Sequence, residues 1–235
     1  MQVSVRGLSK AFGRVWAIKD LTLDLRPGDF VALVGPNGAG KTTFLKLLAG
    51  LIYPTAGEIS VHDKLFSRGS TEQRGDIGFL APGEHLYEHL RVAENLEFFM
   101  GLYDRHLPPG ALHAALDEVN LKRWSEEYVG ALSSGMKCRL SIAKWKLLNP
   151  GLFLLDEPYG VLDGPGVDLM EGFLRAHCER GNIVILASHH IGRVLQLCTR
   201  ALIFDQGKLT FDEPRRKPWE SFERAFADFL PRGAR

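Results

Sequence analysis

Gly35-Pro36-Asn37-Gly38-Ala39-Gly40-Lys41-Thr42-Thr43 is the stretch of this chain most ready to do chemistry, and it satisfies G-x-x-x-x-G-K-[ST] through Gly35, Gly40, Lys41 and Thr42. The chemistry such a run supports is the holding of a triphosphate. Glycines let the backbone turn tightly, so that successive N–H groups point at phosphate oxygens. A helix N-terminus adds partial positive charge, and a lysine ammonium reaches the β- and γ-phosphates. Thr42 offers a hydroxyl to Mg²⁺, and Thr43 a contact to the α-phosphate. The flanks suit this use. Phe30-Val31-Ala32-Leu33-Val34 reads as a buried strand, and Phe44, Leu47, Leu48 and Leu51 fall on one face of a following helix. The competing reading is a glycine-rich turn that holds nothing.

Two further apolar runs end in polar chemistry. Leu152-Phe153-Leu154-Leu155 stops at Asp156-Glu157, and Ile183-Val184-Ile185-Leu186-Ala187 stops at Ser188-His189. Unbroken apolar runs of this length suit strands buried on both faces of a parallel sheet. In such sheets ligands collect at the carboxyl ends of the strands. A carboxylate closing a buried strand is costly without a compensating cation, so Asp156 is read as holding Mg²⁺ together with Thr42. Glu157 then faces the γ-phosphate, where it can orient or deprotonate a water. His189 alone could be a structural histidine; beside the other two strand ends it is read as a γ-phosphate contact. His190 is left unassigned.

The elements that must position these residues follow from periodicity. Val3 and Val5, then Leu21, Leu23 and Leu25, alternate with polar residues as in half-exposed antiparallel strands, and Ile59 and Val61 alternate again. Ile77–Leu80 reads as a short buried strand. Between Ala81 and Pro150 strands give way to three helical stripes: Val92, Leu96, Phe99, Met100 and Tyr103; Leu112, Ala115, Leu116 and Val119; Met136, Leu140, Ala143 and Leu147. Ala201–Phe204, Asp205-Gln206-Gly207 and Lys208–Phe211 form a closing hairpin. The expected fold is an α/β P-loop nucleotide hydrolase core with a mostly parallel sheet and an antiparallel β subdomain. The domain spans 1–211, with the core at 1–80 and 151–211 and a helical lobe inserted at 81–150. The tail, 212–235, places Trp219, Phe222, Phe226, Phe229 and Leu230 at helical spacing.

Composition excludes several other classes. With 29 Lys and Arg against 28 Asp and Glu, the 235-residue chain has a net charge of +1, so no basic footprint points to nucleic acid. Its three cysteines, Cys138, Cys178 and Cys198, fit neither a disulfide framework nor a zinc spacing. No apolar run approaches the roughly 18 residues needed to span a bilayer. A cytoplasmic location is expected.

Further along, Leu132-Ser133-Ser134-Gly135-Met136 opens the third helix upstream of Asp156-Glu157-Pro158, and with it the chain resembles the ATP-binding-cassette (ABC) family of transport ATPases. The resemblance covers residues 1–211, with five motifs in family order. It implies ATP and Mg²⁺ as ligands, and a dimer in which the Ser133-Ser134-Gly135 helix end of each cassette covers the ATP bound to the other. It makes Glu157 and His189 the catalytic pair and Asp163, in Leu162-Asp163, part of a dimer-facing loop. Phe12 becomes the aromatic that stacks on adenine, although by composition alone it would be a core residue. A separate membrane permease is implied, docking near Ala81–Leu90 and the aromatics Tyr87, Phe98 and Phe99, with the cassette on the inner face of the membrane.

The chain departs from the family pattern at several places. Pro82 stands where the family has a glutamine that couples metal and water to the helical lobe, with Glu84 or His85 as candidate substitutes. Ser134 and Met136 replace a glycine and a glutamine, and Tyr159-Gly160 follows Pro158. Compact length, Tyr159 and the missing glutamine look most like the haem-exporter ATPase of cytochrome c biogenesis. Two other readings compete: a non-transport cassette acting as an ATP-gated clamp, and a cassette that binds ATP with little hydrolysis. His85 and His89, interleaved with Glu84 and Glu88, mimic a metal-binding face but read more simply as a solvated one.

Overall fold

A computed structural model describes residues 1–67, 71–81, 86–160, 162, 164–189 and 191–215. Ten strands occur among them: β1 (Val3–Phe12), β2 (Val15–Leu25), β3 (Phe30–Val34), β4 (Ala56–Val61), β5 (Lys64–Leu65), β6 (Ile77–Leu80), β7 (Leu152–Asp156), β8 (Ile183–Ala187), β9 (Arg200–Asp205) and β10 (Lys208–Pro214). The helices are α1 (Lys41–Leu48), α2 (Thr71–Arg74), α3 (Val92–Leu102), α4 (Ala111–Glu118), α5 (Ser134–Leu148), α6 (Gly164–Glu179) and α7 (Ile191–Leu197). The chain divides into two compact units. One comprises Met1–Phe79, Gly151–Glu157 and the chain from His177 onward; the other comprises Leu80–Pro150 and Pro158–Ala176. Residues 158–176, assigned to the core by sequence, thus group with the helical unit.

The first unit is built on two sheets. The antiparallel sheet runs in the order β2-β1-β4-β5, and its register pairs Val3 with Leu25 and Val5 with Leu23. The alternating apolar residues of both strands therefore share one face, and all four are buried. The larger sheet runs β10-β9-β3-β8-β7-β6, with β3 parallel to β8 and β9, and β7 parallel to β8. Every residue of β3, β7 and β8 is buried, which is why these strands are unbroken apolar runs. Gln206 and Gly207 both have positive φ, the geometry of a tight hairpin turn matched to strand twist.

Helix α1 buries Phe44, Leu45, Leu47 and Leu48, with the Phe44 and Phe204 rings 5.2 Å apart. Leu51, expected on the same stripe, is exposed instead. The helix stops earlier because Gly50 takes φ +67 and the N–H groups of Gly50 and Leu51 return to the Leu47 and Lys46 carbonyls, a left-handed C-terminal cap.

In the second unit α3 buries Val92, Leu96, Phe99 and Met100, as its stripe predicts, together with Asn95. That amide donates to the Tyr87 carbonyl at 2.7 Å and accepts from the Tyr87 N–H at 3.0 Å, so a buried polar side chain pins the loop before the helix. Helix α5 departs from the single stripe expected of it. Met136 and Leu147 are half-buried, while Cys138, Leu140, Ser141, Ile142, Ala143, Lys144, Trp145 and Leu148 are buried. Lys144 survives burial with its ammonium 4.3 Å from the Phe99 ring centre and 4.8 Å from that of Trp145. Helices α6 and α7 add to the elements expected from periodicity. No helix among the described residues is long and apolar enough to cross a membrane. The tail aromatics from Trp219 on lie outside the described residues.

Candidate functional site

The phosphate loop joins the buried strand β3 to α1, and its backbone is fixed by its neighbours. Gly35, Gly38 and Gly40 all have positive φ, a region that L-residues enter at a cost of roughly 1–2 kcal/mol. A Cβ on Gly35 would overlap the Phe204 carbonyl, and one on Gly40 would overlap the Ala17 carbonyl. The Gly207 N–H also donates to the Ala39 carbonyl at 3.1 Å. Strand β2, the β9–β10 turn and the loop thus hold one another, which makes Ala17, Phe204 and Gly207 supporting residues that sequence alone did not single out. The helix N-cap is Gly40, with no side-chain cap and no acidic residue in the first turn. Its leading N–H groups are left for an anion.

The side chains around the loop satisfy one another. Lys41 Nζ donates to the carbonyls of Gly35 at 2.6 Å and Pro36 at 3.1 Å. Burial lowers its pKa, while the facing carboxylates of Glu157 and Asp156 oppose that fall. Thr42 Oγ1 donates to Asp156 Oδ2 at 2.7 Å. Asp156 is 6% exposed at the end of β7, so this buried carboxylate and the Thr42 hydroxyl form a pair of hard oxygen donors suited to Mg²⁺. One residue on, Glu157 has φ +50. Its N–H donates to the Ala187 carbonyl at 2.8 Å, stapling the end of β7 to the end of β8. Glu157 Oε2 accepts from His189 Nδ1 at 2.8 Å, from the His189 N–H at 3.3 Å and from Ser188 Oγ at 3.2 Å. The strand ends carrying Gly35, Asp156 and His189 are thereby brought together within one unit. Ser188, which no sequence motif singles out, is 1% exposed, a buried hydroxyl aimed at a carboxylate.

Phe12 lies at the tip of the β1–β2 hairpin and is 53% exposed, with Lys10 Nζ 5.1 Å from its ring centre. It is therefore not the core residue that composition suggests. A half-exposed aromatic ring, on a hairpin whose second strand abuts the phosphate loop at Ala17, suits stacking on a planar base.

In the second unit Ser133 is the N-cap of α5: its Oγ accepts from the Met136 N–H at 3.3 Å. Ser133 and Ser134 are exposed and Gly135 is half-buried. A Cβ at Gly135 would meet nothing within 4 Å. Lys137, in the first turn, pairs with Glu88 at 2.6 Å. The aromatics Tyr87 and Phe98 are 49% and 42% exposed. With Phe99 they form one cluster, ring centres 4.6–5.8 Å apart. No group of three or more His, Cys, Asp or Glu among the described residues is placed to hold a metal, and His89 is exposed. Pro82, Glu84, His85, Asp163 and His190 lie outside the described residues.

Comparison with known proteins agrees with this geometry. The family model described as ABC transporter matches residues 18–160, more than half the chain. The sulfate/thiosulfate import ATP-binding protein CysA 1 of Agrobacterium fabrum is 36% identical over 218 residues, covering 89% of this chain and 62% of that protein. CysA of Pseudomonas aeruginosa is 30% identical over 237 residues, covering 98% and 71%. The chain spans about six-tenths of the length of the first relatives it matches. Among solved structures, the ATP binding subunit of an ABC transporter superposes with a TM-score of 0.85 at 25% identity, covering 97% of this chain and 94% of that one. A dimeric ATP-binding cassette in a post-hydrolysis state, bound to ADP and Pi, superposes with a TM-score of 0.79 at 26% identity, covering 91% and 99%.

Proposed function

The chain belongs to the ABC transporter family, and we propose that it is the ATP-hydrolysing subunit of a transport assembly, pairing with a second cassette to drive a separate membrane permease. The observation that carries this reading is the pair of hydrogen bonds linking three strand ends, Thr42 to Asp156 at 2.7 Å and His189 to Glu157 at 2.8 Å. They support the reading by gathering the glycine-rich loop, the Thr42–Asp156 oxygen pair and the Glu157 carboxylate.

Each residue then has a task. The loop amides and the α1 N-terminus receive the phosphates, Phe12 receives the adenine, and Lys41 exchanges two carbonyls for phosphate oxygens. Thr43 meets the α-phosphate. Thr42 and Asp156 would hold Mg²⁺, which when bound neutralises phosphate charge. Glu157 takes a proton from the attacking water as the new O–P bond forms at the γ-phosphorus. The bond to the bridging oxygen breaks, and ADP leaves with that electron pair. His189, held through Nδ1, presents Nε2 toward the γ-phosphate. The partner's nucleotide is covered by Ser133, Ser134 and Gly135.

Several observations support the partners in this proposal. Gly135 is a glycine that its own unit does not need for space, as expected where a ligand must approach from outside. One structural neighbour is itself dimeric and bound to ADP and Pi. Tyr87 and Phe98, exposed and packed on a Phe99 that is buried rather than exposed as expected, suit an apolar helix of a membrane partner. This would place the cassette on the cytoplasmic face of the membrane. The finer reading, haem export for cytochrome c biogenesis, rests on length, Tyr159 and Pro82; the relatives compared are named for sulfate and thiosulfate import. Cargo identity belongs to the permease, and the proposal stands at the level of a transport ATPase. Phosphate release by the purified chain with ATP and Mg²⁺ tests it. Lys41→Ala should reduce turnover at least a hundredfold; a wild-type chain no faster than that variant would refute the proposal.

A further inference from the structure

We propose that Ser188 is a positioning residue for hydrolysis, holding the Glu157 carboxylate by one oxygen so that the other works on water. This rests on the reading of Glu157 as the base. Three donors converge on Glu157 Oε2: the Ser188 hydroxyl at 3.2 Å, the His189 N–H at 3.3 Å and His189 Nδ1 at 2.8 Å. Among the described residues no hydrogen bond reaches Oε1. One carboxylate oxygen is the anchor, and the other, which no described residue holds, is the one assigned to the water proton.

The three anchors differ in permanence. His189 is exposed, and its ring is the group read as serving the γ-phosphate, so it is the anchor most readily drawn away during turnover. Ser188 is 1% exposed and sits directly beyond β8, whose last residue, Ala187, accepts the Glu157 N–H at 2.8 Å. It is built into the same strand end that fixes the Glu157 backbone at φ +50. That left-handed torsion is unusual for a glutamate and persists only where the surroundings over-determine it. A free glutamate side chain loses rotamer freedom when it is ordered. A fixed hydroxyl supplies that order ahead of the reaction, and a hydrogen bond to a charged acceptor is of the strong kind. A residue that orients the base without touching the nucleotide should act on turnover, leaving nucleotide affinity alone.

The experiment is ATP turnover of the full chain carrying Ser188→Ala, Ser188→Thr, Glu157→Gln, and Ser188→Ala with Glu157→Gln. Ser188→Ala should lower kcat roughly tenfold with KM for ATP unchanged. Ser188→Thr, which keeps the hydroxyl, should restore most of that loss. In the Glu157→Gln background Ser188→Ala should cost little more, because the carboxylate it orients is gone. ATP-dependent dimerisation of the double variant reports that it folds. Wild-type kcat in Ser188→Ala, or a Ser188→Thr variant as slow as Ser188→Ala, would overturn the proposal while leaving Glu157 as the base. A Glu157→Gln variant as fast as wild type would overturn both.

Discussion

Two helices of this chain start on turns suited to anions, and the starts are built on opposite terms. At α1 the cap is a glycine, and Gly35 and Gly40 have positive φ with neighbouring carbonyls where a Cβ would go. At α5 the cap is Ser133, bonded to the Met136 N–H, while Gly135 lies outside the left-handed region with open space around it. A side chain at Gly135 would meet no neighbouring atom. The first turn is dictated by the chain's own packing. The second is open, and in the proposed dimer that opening faces the partner's nucleotide.

Alanine at each glycine should break this symmetry most visibly. Gly35→Ala, forced against the Phe204 carbonyl, is expected to lose nucleotide binding and to destabilise the protein by about 3 kcal/mol or more. Gly135→Ala is expected to melt at the same temperature or higher and to bind ATP as the isolated chain does, yet to fail to dimerise. Thermal denaturation and ATP titration of both variants check this; a large stability loss in Gly135→Ala would erase the contrast.

A smaller effect concerns the charge at the first turn. Burial depresses the Lys41 pKa, so in the free protein the charged form carries a desolvation cost that is relieved as pH rises through that lowered value. Bound phosphates favour the ammonium and raise the pKa again. ATP binding should therefore take up a fraction of a proton on the alkaline side, and affinity should fall as pH rises between the free and bound values. Calorimetry in buffers of different ionisation enthalpy measures the uptake; proton release there would contradict the assignment of Lys41.

The contrast also explains what could be read from sequence. The runs Phe30–Val34, Leu152–Leu155 and Ile183–Ala187 announce buried strands because both faces are covered, and the chemistry follows each run directly. The glycine-lysine spacing is legible for the same reason, since local backbone geometry demands it. Ser188 was not legible as a functional residue: a serine at a strand end is ordinary until the carboxylate beside it is located. Phe12 needed the hairpin to show that its ring is half exposed. Helix α5 is not a single stripe because its own Ser141 and Lys144, polar by type, are buried, so the periodicity that marks a half-buried helix is the wrong guide there. Leu51 misled because the Gly50 cap ended α1 before the stripe did.

Light scattering of the Glu157→Gln chain tests the central claim, that the open glycine turn of one copy closes over the nucleotide held by the packed turn of another. With ATP and Mg²⁺ its mass should double, and adding Gly135→Ala or Ser133→Ala should return it to monomer while ATP stays bound. A Glu157→Gln chain that binds ATP and remains a monomer would contradict the account.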